Sequence, residues 1–158
     1  MSELKLIALD AEDLGVLSAH LQDAVLKVCD VVYQPKEKRF AVIVNRFNWP
    51  AALAEADKLA AAAYTRHRCA VRFEQVTAAR LRGIDLANKD QVLSILAIQF
   101  EPHPEENPAG AVTMQFSGGA AIRLEVDYIE SELRDLGGAW AAKSKPQHPD
   151  DETEAQAD

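Results

Sequence analysis

The chain has 158 residues and a mass of 17.3 kDa, the size of one domain or one domain with a tail, which argues against a two-domain enzyme with separate cofactor and substrate halves. Its formal charge is −8, but residues 147–158 hold five acids and no Lys or Arg, so residues 1–146 carry only −3, and a general nucleic-acid binder is not expected from that balance. No apolar run nears the roughly 20 residues that cross a bilayer, and the first residues lack the basic start and apolar stretch of a signal peptide, so the expectation is a cytoplasmic protein without membrane association.

Residues 4–9 read as a short strand, and Asp10 with Asp13 three residues on reads as a helix N-cap with a first-turn acid. Leu14, Leu17, Leu21 and Ala24 then recur at helical spacing, giving an N-terminal helix one apolar face. From 25 to 33 β-branched residues crowd both faces; Pro35, Lys36, Glu37 and Lys38 interrupt, and 40–49 resumes the pattern, which makes a hairpin. Both arms are apolar on consecutive positions, as in a strand covered on both faces. Pro50 ends the second arm. Residues 51–64 form an Ala-rich stretch of strong helical propensity in which Leu53 and Leu59 are the only large aliphatics, so that helix is expected at the periphery.

Residues 71–83 and 91–100 read as strands, and 112–117 with 121–126 as the arms of a hairpin about Gly118-Gly119, a pair suited to the positive φ of a tight turn. The hairpin alternates. Val112, Met114 and Phe116 oppose Thr113, Gln115 and Ser117, and Ile122, Leu124 and Val126 oppose Arg123, Glu125 and Asp127, so one face meets the core and the other meets water or a partner. Asp127 and Glu130 form a capping-box variant, and Ile129, Leu133 and Leu136 the i, i+4, i+7 stripe of a short closing helix stopped by Gly137-Gly138. Residues 143–158 are too poor in apolar side chains to offset ordering entropy and are expected to be a disordered acidic tail. The sum is a single α+β domain over residues 1–142: a mostly antiparallel curved sheet of six or seven strands with an N-terminal and a C-terminal helix, compatible with a pleckstrin-homology-like roll.

The segments LKLIALDAEDL (4–14), HLQDAVLKV (20–28), RFAVIVNRFNW (39–49), RLRGIDL (80–86) and FSGGAAIRLEVDYIESELRDLG (116–137) resemble the uncharacterised bacterial family called domain of unknown function 2948. The resemblance leaves out 51–64 and the tail. It implies a small, stand-alone bacterial protein of the cytoplasm and transfers no activity, cofactor or catalytic residue to any position.

Motif chemistry is sparse. Neither G-x-G-x-x-G nor G-x-x-x-x-G-K-[ST] occurs, His20, His67, His103 and His148 share no metal-ligand spacing, and Ser117 precedes its glycines rather than lying between them. Cys29 and Cys69 lie in apolar segments without a C-x-x-C pair and read as buried thiols. His103 sits in the Pro-rich stretch EPHPEENP, read as a solvated loop. The strongest concentration is basic: Arg66, Arg68, Arg72, Arg80 and Arg82 fall within 17 residues holding one acid, Glu74. Arg80 and Arg82 share a strand face, and with Arg46, Arg72 and Arg123 they are the candidate contacts for an anion, since guanidinium forks match carboxylate and phosphate. The plainer reading is a solvated face paired with acids elsewhere. No cofactor is expected. The leading expectation is a non-enzymatic interaction or scaffold module with a protein partner or a second copy of itself. The alternative is a binder of, or enzyme acting on, a small phosphate or carboxylate ligand through the Arg cluster.

Overall fold

The computed structural model describes residues 4–47, 65–137 and 140–141. The expected helix at 51–64 and the expected tail at 143–158 lie outside them. Among the described residues there are eleven strands and one α-helix: β1 (Lys5–Ala8), α1 (Ala11–Leu21), β2 (Val25–Lys27), β3 (Val31–Gln34), β4 (Arg39–Phe47), β5 (Thr65–Phe73), β6 (Val76–Arg82), β7 (Val92–Pro102), β8 (Gly110–Phe116), β9 (Ala121–Val126), β10 (Ser131–Asp135) and β11 (Trp140–Ala141). The strands run in the order β1-β10-β5-β4-β2-β7-β8-β9-β6, with β3 beside β4 and β11 beside β5, and every pair is antiparallel.

Helix α1 begins where the short polar side chains allow it. Asp10, extended, accepts from the Asp13 N–H at 2.8 Å, and the Asp13 carboxylate accepts from the Leu9 N–H at 3.1 Å, which satisfies two backbone donors at the helix start. Leu14, Leu17 and Leu21 are buried. The helix lies along β7 beyond the reach of β2, where Ser18 Oγ accepts the Ile98 N–H at 2.9 Å.

The expected strand at 71–83 divides at Glu74-Gln75, where Gln75 takes a left-handed φ of +61° and the chain turns a corner between β5 and β6. The facing run turns with it. Glu74 N–H donates to Glu130 O (2.8 Å) and Asp127 N–H to Gln75 O (3.0 Å), so β5-β6 stays paired with β10-β9 across the bend. This corner curves the sheet and separates a first half around β4, β5 and β10 from a second half around β7, β8, β9 and β6. Between them the inward residues form one apolar cluster, with Phe40, Phe73, Phe116, Ile95, Met114, Ile122, Leu124 and Leu133 essentially sealed from water. Burial of a large apolar side chain contributes about 1.5–3 kcal/mol.

Three expectations are corrected. The sheet has more strands than six or seven because 25–33 and 71–83 each break in two and residues 131–135 and 140–141 also pair, whereas the expected strand at 4–9 is found as β1. The closing helix over 127–136, which would complete a pleckstrin-homology-like roll, is a strand: β10 makes ladders with both β1 and β5. Two neighbouring ladders outweigh a local capping signal, and Leu136, a member of the supposed stripe, is 48% exposed. Cys29 is exposed rather than buried. The hairpin at Gly118-Gly119 has φ of +81° and +91°, and its arms alternate as β8 and β9.

Candidate functional site

The five candidate arginines separate into three places, decided by strand phase. In β4 the inward positions are Phe40, Val42, Val44 and then Arg46; in β5 they are Phe73, Val71, Cys69 and then His67; in β10 they are Ser131, Leu133 and Asp135. Cross-strand register aligns Val42, Val71 and Leu133 in one row and Val44, Cys69 and Asp135 in the next. The core therefore passes from apolar to ionic within one pleat.

At that end Asp135, only 2% exposed, is a hub. Arg46 Nε donates to Oδ1 and Arg46 Nη2 to Oδ2, both at 3.1 Å; the Cys69 thiol donates to Oδ1 at 2.9 Å and the Leu4 N–H to Oδ2 at 2.8 Å. Burial alone would raise the Asp135 pKa, but the Arg46, Cys69 and Leu4 donors outweigh it and hold the carboxyl below its ordinary range. The Cys69 thiol is pushed up to about 12 by burial, reinforced by its bond to the Asp135 carboxylate. His67 is lowered by burial and by the neighbouring Arg46 charge, against a smaller opposing pull from Asp135. Its Nδ1 lies 3.4 Å from Asp135 Oδ2, and neither ring nitrogen has a hydrogen-bond partner.

A cysteine, a histidine and an aspartate side by side invite comparison with a nucleophilic triad, and the electrostatics argue against it. A nucleophilic thiol is held near a cation or a helix N-terminus that lowers its pKa. Cys69 is instead a sealed thiol that keeps its proton and donates a hydrogen bond to a carboxylate. The cluster is a bidentate buried ion pair that ties β1, β4, β5 and β10 at one point. Sequence reading placed Arg46 among exposed anion contacts, yet strict alternation from Phe40 already puts it inward. Its partner is hidden from the sequence because the stripe of Ile129, Leu133 and Leu136 places Asp135 in a helix.

Arg72 lies on the outward face of the same half between two carboxylates: it pairs with Glu132 through Nη2 and lies 2.9 Å from Glu74 Oε2 through Nε, which makes an ion pair there without a hydrogen bond, while Arg39 donates to Glu74 at 2.9 Å. Lys5 and Arg134 surround Glu132 at 3.7 and 3.9 Å. This is the plain reading of the basic strip, a charge ladder across neighbouring strands.

The other three arginines do meet. Arg80 of β6 stands directly across from Arg123 of β9, and Arg82 from Ala121, which puts all three on the outward face of the second half. Arg123 is engaged: Nε donates to Glu125 at 3.0 Å and Nη1 to Glu101 at 3.1 Å. Its pKa is raised, chiefly by the Glu125 hydrogen bond. Burial would raise the Glu125 pKa, but the Arg123 and His103 hydrogen bonds bring it below its ordinary value. His103 Nε2 sits 3.0 Å from Glu125 Oε1, so the histidine of the expected solvated loop is tied to the sheet. Arg82 Nε donates to the Gly119 carbonyl at 3.3 Å. Neither Arg80 nor Arg82 has a carboxylate partner among the described residues, and both are exposed.

Beside Arg123, a half-open groove of about 610 Å³ runs between α1 and the β7-β8-β9 face, lined by Ala11, Gly15, Phe100, Thr113, Gln115 and Arg123 among others. Its cation is already paired with two glutamates. Among the described residues there is no group of His, Cys, Asp and Glu that could hold a metal ion, and no helix long and apolar enough to cross a membrane.

Comparison with known proteins adds one finding. No curated protein matches the chain, and no solved structure does. The model of the family described as "Protein of unknown function (DUF2948)" matches residues 4–148, nearly the whole of the chain, and the protein belongs to that family.

Proposed function

We propose that the protein is a non-enzymatic interaction module that engages an acidic protein partner through the outward face of β6 and β9. The observation that carries this reading is the convergence of Arg80, Arg82 and Arg123 on one face, with two of the three lacking a carboxylate. Exposed guanidinium groups without a carboxylate partner keep most of their donors for an incoming anion, and Arg is suited to that because its planar fork binds carboxylate in bidentate fashion. The Cys69–His67–Asp135 cluster supports a non-enzymatic role, since its thiol is held protonated and sealed. A small anionic ligand in the groove is less well supported, because Arg123, the cation lining it, is neutralised by Glu101 and Glu125.

The test is fluorescence anisotropy of a labelled oligoglutamate against the full chain. Binding should weaken as salt rises, because exposed charges are screened over roughly 8–10 Å at physiological ionic strength, and Arg80→Glu/Arg82→Glu should abolish it. Inorganic phosphate or citrate binding in place of the peptide would favour the small-ligand reading. Identical responses from the parent and the double variant would discard this face.

A further inference from the structure

β6 ends the strand order, with β9 on one side and no strand paired on the other among the described residues. Of its seven residues, Val76 already gives its N–H on that side to the Lys38 carbonyl at 2.9 Å, which leaves 77–82 as the open edge, as long as an ordinary strand. The two sides of its pleat differ in chemistry. Ala78, Arg80 and Arg82 face outward with Glu125, Arg123 and Ala121 beside them, while Ala79 and Leu81 face the core side beside Leu124 and Ile122. Leu124 and Ile122 are sealed, but Ala79 and Leu81 are only partly covered. The apolar layer therefore continues to the edge and stops short of complete burial there.

We infer that the open edge of β6 accepts an extended segment of a partner protein that alternates acidic and apolar residues, adding one strand to the sheet. Strand addition supplies affinity through main-chain hydrogen bonds and selectivity through alternate side chains. Acids on one side of the added strand meet Arg80 and Arg82. Apolar side chains on the other cover Ala79 and Leu81 and extend the core by one row. A second copy of this chain is a poor occupant: antiparallel pairing of two β6 edges brings arginine against arginine, a like-charge cross-strand contact that is destabilising and that natural edges use to prevent self-pairing. A blocked distribution of the same acids is also a poor occupant, because a strand shows successive residues to opposite faces.

This inference rests on the acidic-partner reading above, and the experiment separates the two. Two labelled peptides of identical composition, one alternating Glu and Val and one with the same residues in Glu-Glu-Val-Val order, are titrated against the full chain, and amide hydrogen exchange is followed in the complexes. The expected result is binding of the alternating peptide at least about tenfold tighter than the other, with exchange slowed in residues 77–82, and loss of that binding in Arg80→Glu/Arg82→Glu. Equal binding of both peptides, lost in the double variant without protection of 77–82, overturns strand addition and leaves the acidic-partner reading standing. Binding of neither peptide, with oligoglutamate also unbound, overturns both. Protection of β1 instead of β6, or a dimer that protects 77–82 without peptide, also overturns the inference.

Discussion

Arg46 and Arg80 are the same residue type on the same curved sheet, and they do opposite things. Arg46 is 4% exposed and commits its fork to one carboxylate at the ionic end of the first half; Arg80 is exposed on the second half with no carboxylate partner among the described residues. The difference is the side of the pleat. An inward guanidinium must be fully paired, because an isolated buried charge is too costly to keep. An outward one is solvated and can wait for a partner. The first region is thus read as architecture and the second as surface for recognition, and the contrast is open to direct attack.

The largest effect is expected at Asp135. Replacing it with Ala leaves Arg46 buried without its partner and removes the acceptor for Cys69 and Leu4, so urea unfolding should show a loss of about 3–5 kcal/mol. The double change Arg46→Met/Asp135→Leu should recover most of it, since apolar residues of similar volume replace buried pairs at little cost. A double variant as unstable as Asp135→Ala would mean that the ionic end is required for more than charge balance.

The same cluster should limit stability at both ends of the pH range. Asp135 has its pKa depressed in the folded chain, so its contribution is complete above the unfolded carboxylate value of about 3.9 and is lost as pH falls through the folded value. Cys69 is raised to about 12; its contribution is complete below the unfolded thiol value of about 8.5 and is lost as pH rises towards the folded one. Urea midpoints across pH should therefore fall at both extremes. Cys69→Ala should flatten the alkaline limb and leave the acid limb in place.

Thiol reactivity sharpens the comparison with a smaller but cleaner signal. Exposed Cys29 should react promptly with a disulfide reagent, whereas Cys69 should react only on unfolding. Cys29→Ser should then show no fast thiol, and a rapid reaction in that variant would show that the ionic end is open to solvent.

On the outward face, effects on stability should shrink. Arg123→Ala loses two exposed ion pairs and should cost about 0–1 kcal/mol in thermal or urea unfolding. Arg80→Glu/Arg82→Glu should change stability by no more than about 0.5 kcal/mol. A loss of several kcal/mol there would place those side chains in the architecture after all.

Much of the second half was legible because its strands obey a simple rule. Val112, Met114, Phe116, Ile122, Leu124 and Val126 alternate with polar residues, and all six are buried. Helix α1 was legible from Asp10 and its leucine spacing. Residues 129–136 were not, since Ile129 and Leu133 fit a helical stripe and a strand alternation at once, and only pairing with β1 and β5 decided between them. That double fit conceals Asp135, and with it the reason Arg46 points inward.

Local order in this chain determined which residues are apolar, which turns need positive φ, and that Arg80 and Arg82 share a face. Tertiary structure alone decided which arginines have partners. A guanidinium finds its carboxylate through strand register, and register joins residues as far apart as Arg46 and Asp135, or Arg80 and Arg123. Neighbouring side chains constrain local conformation by sterics and hydrogen bonding, but the pairing of distant strands is set by which arrangement buries the most apolar surface with every buried polar group satisfied.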